Sequence, residues 1–472
     1  MKKFFCIFAS LLTLAAVFSC KDHEKDEGKK EEDTRNSEAR LIALKAIITP
    51  AFSDFATVHN DDNPSADFYY AKDEADLYKT VLLEAKVSTG AKTNIKEDVT
   101  YDLVEGFTII VVSEDEAHST TYNVSATEGK LSITCEQAWE KKASAANLTY
   151  VNNQGPNVGF ATADYIVYVD GNVVSREDAQ LVGTLNMDGC EVSKLRNVTN
   201  DENGIIIGSM CTSNEGSTEA INFYVYAWLD GWDKAPTKLL EAINDGPMGG
   251  AYRYMSCGGD VKGDFILNFI SNANEPPVLH NVYTFKDGDY ANPSWTGFYT
   301  DYPRNDGNWG QMISPASSDV NGWWFIGDSQ GNNNGYRVFA RKGVQASEDI
   351  VLYGTGIDDG HYYIESELNH QYGHYSVGDI RAFSLRDKPY VATASTSWGL
   401  TYLTIQTVTD PNEDDSHYLL RTQAFGGSQQ APSVAFIFDA QNNVGYVAMV
   451  SGGHDNGIAE FVTLYEITTV IY

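Results

Sequence analysis

The sequence predicts an all-β protein, a small β-sandwich over residues 41–130 followed by a β-propeller of six repeats over residues 131–472. Three observations lead there. Aromatic residues make up 12% of the chain, with tyrosine leading and 40 glycines between them, a composition that suits pleated, half-buried strands. Apolar residues alternate with period two in short runs bounded by Asp, Asn and Gly. From about Leu131 onward the runs recur as units, and the turn glycines Gly204, Gly263 and Gly322 stand 59 residues apart.

The chain opens Met1-Lys2-Lys3 and runs uncharged from Phe4 to Phe18 before Val17-Phe18-Ser19-Cys20. A short positive region, an apolar stretch below the roughly 20 residues of a spanning helix, and a small residue before the break make a secretory signal over residues 1–19. Val17 to Cys20 resembles the lipobox of bacterial lipoproteins, although Phe18 is bulkier than usual there. That resemblance implies a lipidated Cys20 at the mature N-terminus, with several acyl chains anchoring it. Residues 20–40 begin Lys21-Asp22-His23-Glu24-Lys25-Asp26-Glu27. With almost no apolar residue to bury, this stretch is expected to be a disordered tether. Lys-Asp and further acids directly after the cysteine are similar to the surface-export signal of Bacteroidota lipoproteins, which implies the outer leaflet of the outer membrane.

Within residues 41–130, Leu83-Ala85-Val87 share one face, Thr108–Val112 form an apolar run, and Tyr122-Val124-Ala126 follow a turn at Ser113–Ser119. The pattern predicts a sandwich. The run from Thr108 to Asp115 with Thr121–Val124 resembles the closing hairpin of immunoglobulin- or cadherin-like modules, which implies a spacer role.

In residues 131–472 one unit turns at Asp201–Gly204, a second at Asp260–Gly263 and a third at Asp319–Gly322, each followed by an apolar strand. Further turns fall at Arg386–Pro389 and Asn442–Gly445, and an earlier, degenerate unit contains Asp164–Val169. Repeated short strands that cannot bury both faces alone indicate a propeller or solenoid, and aromatic strands with hairpin turns favour blades around a ring. The interval matches neither WD40 nor kelch units, and Trp232-Asp233 is an isolated dipeptide. Tyr353–Tyr375 breaks the register as a long connection.

A formal net charge of −32 argues against nucleic acid and anionic membrane as partners. Beyond Cys20 the mature chain holds Cys135, Cys190, Cys211 and Cys257. No CxxC pair occurs, so zinc is not indicated, and both the three possible pairings and buried thiols stay open.

Candidate chemistry is sparse. Gly327-Asp328-Ser329-Gln330-Gly331 fits the nucleophile pattern G-x-S-x-G, but an elbow serine needs a helix after it, and here a strand follows. His361, His370 and His374, with Glu365 and Glu367, have metal-ligand chemistry. Gly373, however, disfavours the helix that would align the last two histidines. Asp439–Gly445 has calcium-type oxygens, which a blade turn needs for its backbone in any case. Ser317-x-Asp319-x-Asn321-Gly322-Trp323-Trp324 is similar to the Asp box of sialidase-type propellers, a structural hairpin in that family; its glycine sits one place late. No catalytic residue, metal or cofactor is assigned.

Aromatics give the remaining lead. Trp228, Trp232, Trp295, Tyr299, Tyr302, Trp309 and Trp398 lie in or beside Gly-, Asp- and Asn-rich connections. Sugar rings stack their C–H faces on such rings while Asp and Asn satisfy the hydroxyls. For Trp323 and Trp324 burial between blades is expected instead. The whole layout resembles Bacteroidota surface lipoproteins that join an immunoglobulin-like spacer to a propeller-like domain and accompany polysaccharide-uptake systems. The resemblance implies a cell-surface lipoprotein that binds a polysaccharide or oligosaccharide without catalysis, beside an outer-membrane uptake complex. A propeller glycoside hydrolase or lyase and a protein-interaction or adhesion scaffold are the alternatives.

Overall fold

A computed structural model describes residues 35–49, 52–151, 156–212, 221–244, 253–270, 278–300, 312–329, 336–344, 350–354, 375–397, 400–408, 418–421, 425–426, 432–440, 442–452 and 459–471. Among them the fold is all-β, with one 3-10 turn at Ala75–Lys79 and no α-helix.

The N-terminal part is built from two sheets. One has three strands, with Leu41–Thr49 between Phe52–Phe55 and Leu82–Val87. The other has five and includes a parallel pairing of Ser65–Tyr70 with Ser119–Glu128. Alternation puts Leu41, Leu44, Leu83, Phe68, Ile109, Val111, Tyr122 and Val124 into one core between the sheets. Tyr122 accepts the Leu41 N–H on its hydroxyl at 2.9 Å and donates that hydroxyl to Asn60. A buried phenol thus keeps its polar end satisfied.

The rest is propeller-like. Six sheets, five of four strands and one of five among the described residues, each run antiparallel from an inner strand outward. The inner strands are Val158–Ala161, Asn197–Asn200, Arg253–Gly259, Met312–Pro315, Tyr375–Leu385 and Ser433–Asp439. Each touches the next, and the last touches the first, so they form a closed circle. Apolar cores lie between successive sheets, for example Val167, Val173, Ile206, Met210 and Tyr226 between the first and second. Leu131–Lys142 is the outer strand of the sixth sheet, paired antiparallel with Ala459–Ile471. The two ends of this region are therefore joined by a ladder that leaves no open seam.

The recurring Asp-x-x-Gly turn has a local cause. Asp201, Asp260 and Asp319 each accept, on the backbone carbonyl, the N–H of the glycine three residues on, at 3.3, 2.9 and 2.9 Å. Their carboxylates accept the N–H two residues on, from Asn203, Lys262 and Asn321. This is a turn with an Asx cap, Asp first and Gly fourth. Of the three glycines only Gly204 has a positive φ, 75°, and a Cβ there would meet the Thr162 backbone at 2.6 Å.

The sandwich rests on the fifth sheet. The turn Arg386-Asp387 between Tyr375–Leu385 and Lys388–Ser397 has φ of 49° and 59°, a conformation that favours Asn and Gly. Arginine bears the strain there, and its side chain has a task. Arg386 donates to Glu74 through Nε at 3.2 Å and Nη2 at 2.8 Å, and to the Tyr78 hydroxyl at 3.0 Å. Its guanidinium also lies 4.8 Å from the Phe52 ring centroid. Lys388 pairs with Asp73 at 2.8 Å beside it.

Candidate functional site

Polar residues on the inner strands fill the axis of the ring. Arg381, in the fifth inner strand and 5% exposed, reaches across to the second, donating to Thr199 Oγ1 at 2.8 Å and to the Asn200 carbonyl. Asn200 in turn donates to the Phe436 carbonyl on the sixth at 2.9 Å and accepts the Phe160 N–H on the first at 3.0 Å. Asp379, fully enclosed, accepts from the Ser433 hydroxyl at 3.0 Å, the Val434 N–H at 2.9 Å and the Ile380 N–H at 2.8 Å. Burial still pushes its carboxyl up to about 6, because three donors do not replace full hydration.

Beside this crossing lies a cavity of about 140 Å³, at the end of the ring where the inner strands turn back. Its walls carry Asp201, Glu202, Cys257, Arg381 and the rings of Phe383, Phe436 and Phe438; Phe52 and Ser53 of the sandwich close one side. The site is thus built jointly by both parts of the chain. Burial pushes Asp201 up to about 6 against three backbone N–H donors, those of Val261, Ile205 and Asn203. Glu202 is pushed up to about 7 by burial on its cleft side and by the charges of Asp201 and Asp260, although the side chain keeps contact with solvent. Burial also raises the Cys257 thiol.

Among the described residues, the aromatics singled out by sequence are not brought together here. Trp228 is a correction: it is 2% exposed, packed between the first and second sheets, and its Nε1 donates to the Asn186 carbonyl at 2.7 Å. Its ring fills the slot left by Gly208, where a Cβ would lie 3.0 Å from the indole. Trp232 is half-buried in the same core, seated on Gly183 and edge-on to Tyr165 at 6.0 Å. The Trp228 indole offers no open face, and that of Trp232 is partly covered. Trp295 does: it is 55% exposed on the outer strand of the third sheet, with Nε1 donating to Asn281 Oδ1 at 3.2 Å. Tyr299 belongs to the same strand, opposite Leu279. Tyr302, Trp309, Trp398, Cys20 and the group His361, Glu365, Glu367, His370 and His374 lie outside the described residues.

Other sequence motifs resolve as hairpins. Ser329 pairs with Tyr336 of the next strand. In the Asp-box-like segment, Asp319 caps Asn321 and the buried Trp324 donates to the Val320 carbonyl at 3.1 Å. Asp439 accepts from Asn442 within its own turn. Among the described residues no three His, Cys, Asp or Glu side chains are grouped to hold a metal. No disulfide joins Cys135, Cys190, Cys211 or Cys257, and burial pushes the Cys135 thiol up to about 12.

Sequence reasoning missed the axial site. An Asp and an Arg in the otherwise apolar run Val377-Gly378-Asp379-Ile380-Arg381-Ala382-Phe383 were the available signal, since charges in an inner strand need buried partners.

No protein-family model matches the chain, and no curated protein sequence does. Among solved structures, a DUF4623 family protein from Bacteroides eggerthii is 12% identical over 91% of this chain and 99% of that one, with a TM-score of 0.43. A protein of unknown function from Dyadobacter fermentans is 11% identical over 71% and 99%, with a TM-score of 0.39. An alpha-L-arabinanase from Penicillium chrysogenum, complexed with arabinobiose, is 9% identical over 67% and 97%, with a TM-score of 0.40. At these scores the likenesses carry no assignment.

Proposed function

We propose that this chain is a cell-surface lipoprotein that captures a neutral polysaccharide or oligosaccharide without cleaving it. In this reading Cys20 carries the lipid and the charged residues after it are the tether, which ends before the expected residue 40 because residues 36–40 are hydrogen-bonded to the sandwich and Ala39 lies in its core. An immunoglobulin-like module spaces the head from the outer membrane, and a six-bladed propeller bears the ligand beside an uptake complex. The observation that carries the reading is Trp295. A large indole with more than half its surface in water, its one polar atom already bonded to Asn281, is an oriented apolar plate of the kind sugar rings stack on. Retention of the full chain in affinity gels made with plant and microbial polysaccharides, compared with Trp295→Ala, tests it.

The rival reading, a propeller glycosidase or lyase, needs two carboxylates free to face one ligand. Of the acidic pair in the axial cavity, Asp201 is committed to three backbone N–H groups. Among the described residues lining this cavity that leaves Glu202, which favours binding over hydrolysis there. Release of reducing or unsaturated sugars from a retained polysaccharide would move the assignment to the enzyme.

A further inference from the structure

The axial cavity has a chemistry of its own, separate from the carbohydrate reading. We propose that it binds a compact organic cation, a protonated amine on a body about the size of a benzene ring, held between Glu202 and the phenylalanine walls at the seam of sandwich and ring.

Size comes first. The cavity volume of about 140 Å³ is close to the ~150 Å³ that accommodates benzene in an engineered apolar core. Shape and polarity follow from the lining. Phe52, Phe383, Phe436 and Phe438 line it; Phe383 and Phe436 are stacked on each other at 3.7 Å, so the wall they make is apolar, and cations are attracted to aromatic walls. Phe52 already holds one, the Arg386 guanidinium.

Charge decides the sign of the guest. Arg381, also in the lining, is turned to the axis by Thr199 and Asn200; burial lowers its hold on the proton, and the nearby Asp379 and Asp201 work against that. Asp201 is saturated by N–H donors. Glu202 accepts no hydrogen bond and makes no ion pair among the described residues; its charged neighbours are the acids Asp201 and Asp260. A carboxylate in this position is stabilised by a cation and repelled by an anion.

Titration calorimetry on the folded full chain tests the proposal with benzylamine and its neutral analogue benzyl alcohol as probes. Benzylamine is expected to bind, benzyl alcohol at least about tenfold more weakly. Glu202→Gln should weaken benzylamine by a similar factor, and Ala440→Trp, at the exposed rim, should block both probes. Neither residue is buried, so both variants should fold, which a thermal melt checks. Equal binding of the two probes, benzylamine affinity unchanged in Glu202→Gln, or no heat from benzylamine at tens of millimolar would each overturn it.

Discussion

Arg386 and Glu74 stand 312 residues apart in the chain and meet in a two-point ion pair, Nε to Oε1 at 3.2 Å and Nη2 to Oε2 at 2.8 Å. Both side chains are almost fully enclosed, 4% and 2% exposed. Burial alone would make the guanidinium easier to deprotonate, but Glu74, Tyr78 and Asp54 outweigh it and hold Arg386 above its usual range. The pair fixes the sandwich to the fifth sheet and sets Phe52 and Ser53 against the axial cavity.

Removing one partner should therefore cost more than a surface pair would. Glu74→Gln or Arg386→Met leaves a buried charge uncompensated, a loss of ~3–5 kcal/mol. Urea denaturation of both single variants and the double variant measures the coupling. Limited proteolysis of the single variants should release the sandwich from the ring, because the break falls at their seam.

Asp379 should make stability depend on pH. Its folded carboxyl, near 6 against 3.8 for the ordinary group, binds protons more tightly than the unfolded one. Stability thus falls as pH rises from about 4 to about 6 and is regained on acidification. Two units correspond to ~3 kcal/mol at most. Asp201, also near 6, acts in the same direction. Asp379→Asn should flatten the part that Asp379 contributes, read as a smaller difference in melting temperature between pH 7.5 and pH 4.5 than the parent chain shows.

Two tryptophans should separate stability from binding. Trp228→Ala empties an enclosed site and is expected to cost ~3–5 kcal/mol, visible in urea denaturation. Trp295→Ala removes a half-open ring and should leave stability within ~0.5 kcal/mol.

Anchoring has its own test. Cys20→Ser should move the protein from the membrane fraction to the soluble one. Protease added to intact cells should digest the parent chain.

Much of the architecture is legible in the sequence because it is local. Period-two runs such as Leu83-Ala85-Val87 become strands with those residues inward, and the Asp-x-x-Gly turns repeat because one backbone conformation repeats. What stays hidden is non-local. Nothing near Leu131 indicates that its strand pairs with Ala459–Ile471, since each merely alternates apolar and polar residues. Trp228 and Trp232 look like Trp295 in sequence, each beside a turn. They differ because Gly208 and Gly183, on neighbouring strands, open slots for the first two. The arginine in the Arg386-Asp387 turn is unfavourable locally, and its reason lies at Glu74.

The central claim is carbohydrate capture, and it is tested most directly by affinity electrophoresis of the folded full chain through a panel of neutral polysaccharides. The expected result is retardation in at least one gel, abolished in Trp295→Ala and unaccompanied by product release. Unretarded migration through the whole panel, or retardation that Trp295→Ala leaves intact, would contradict it.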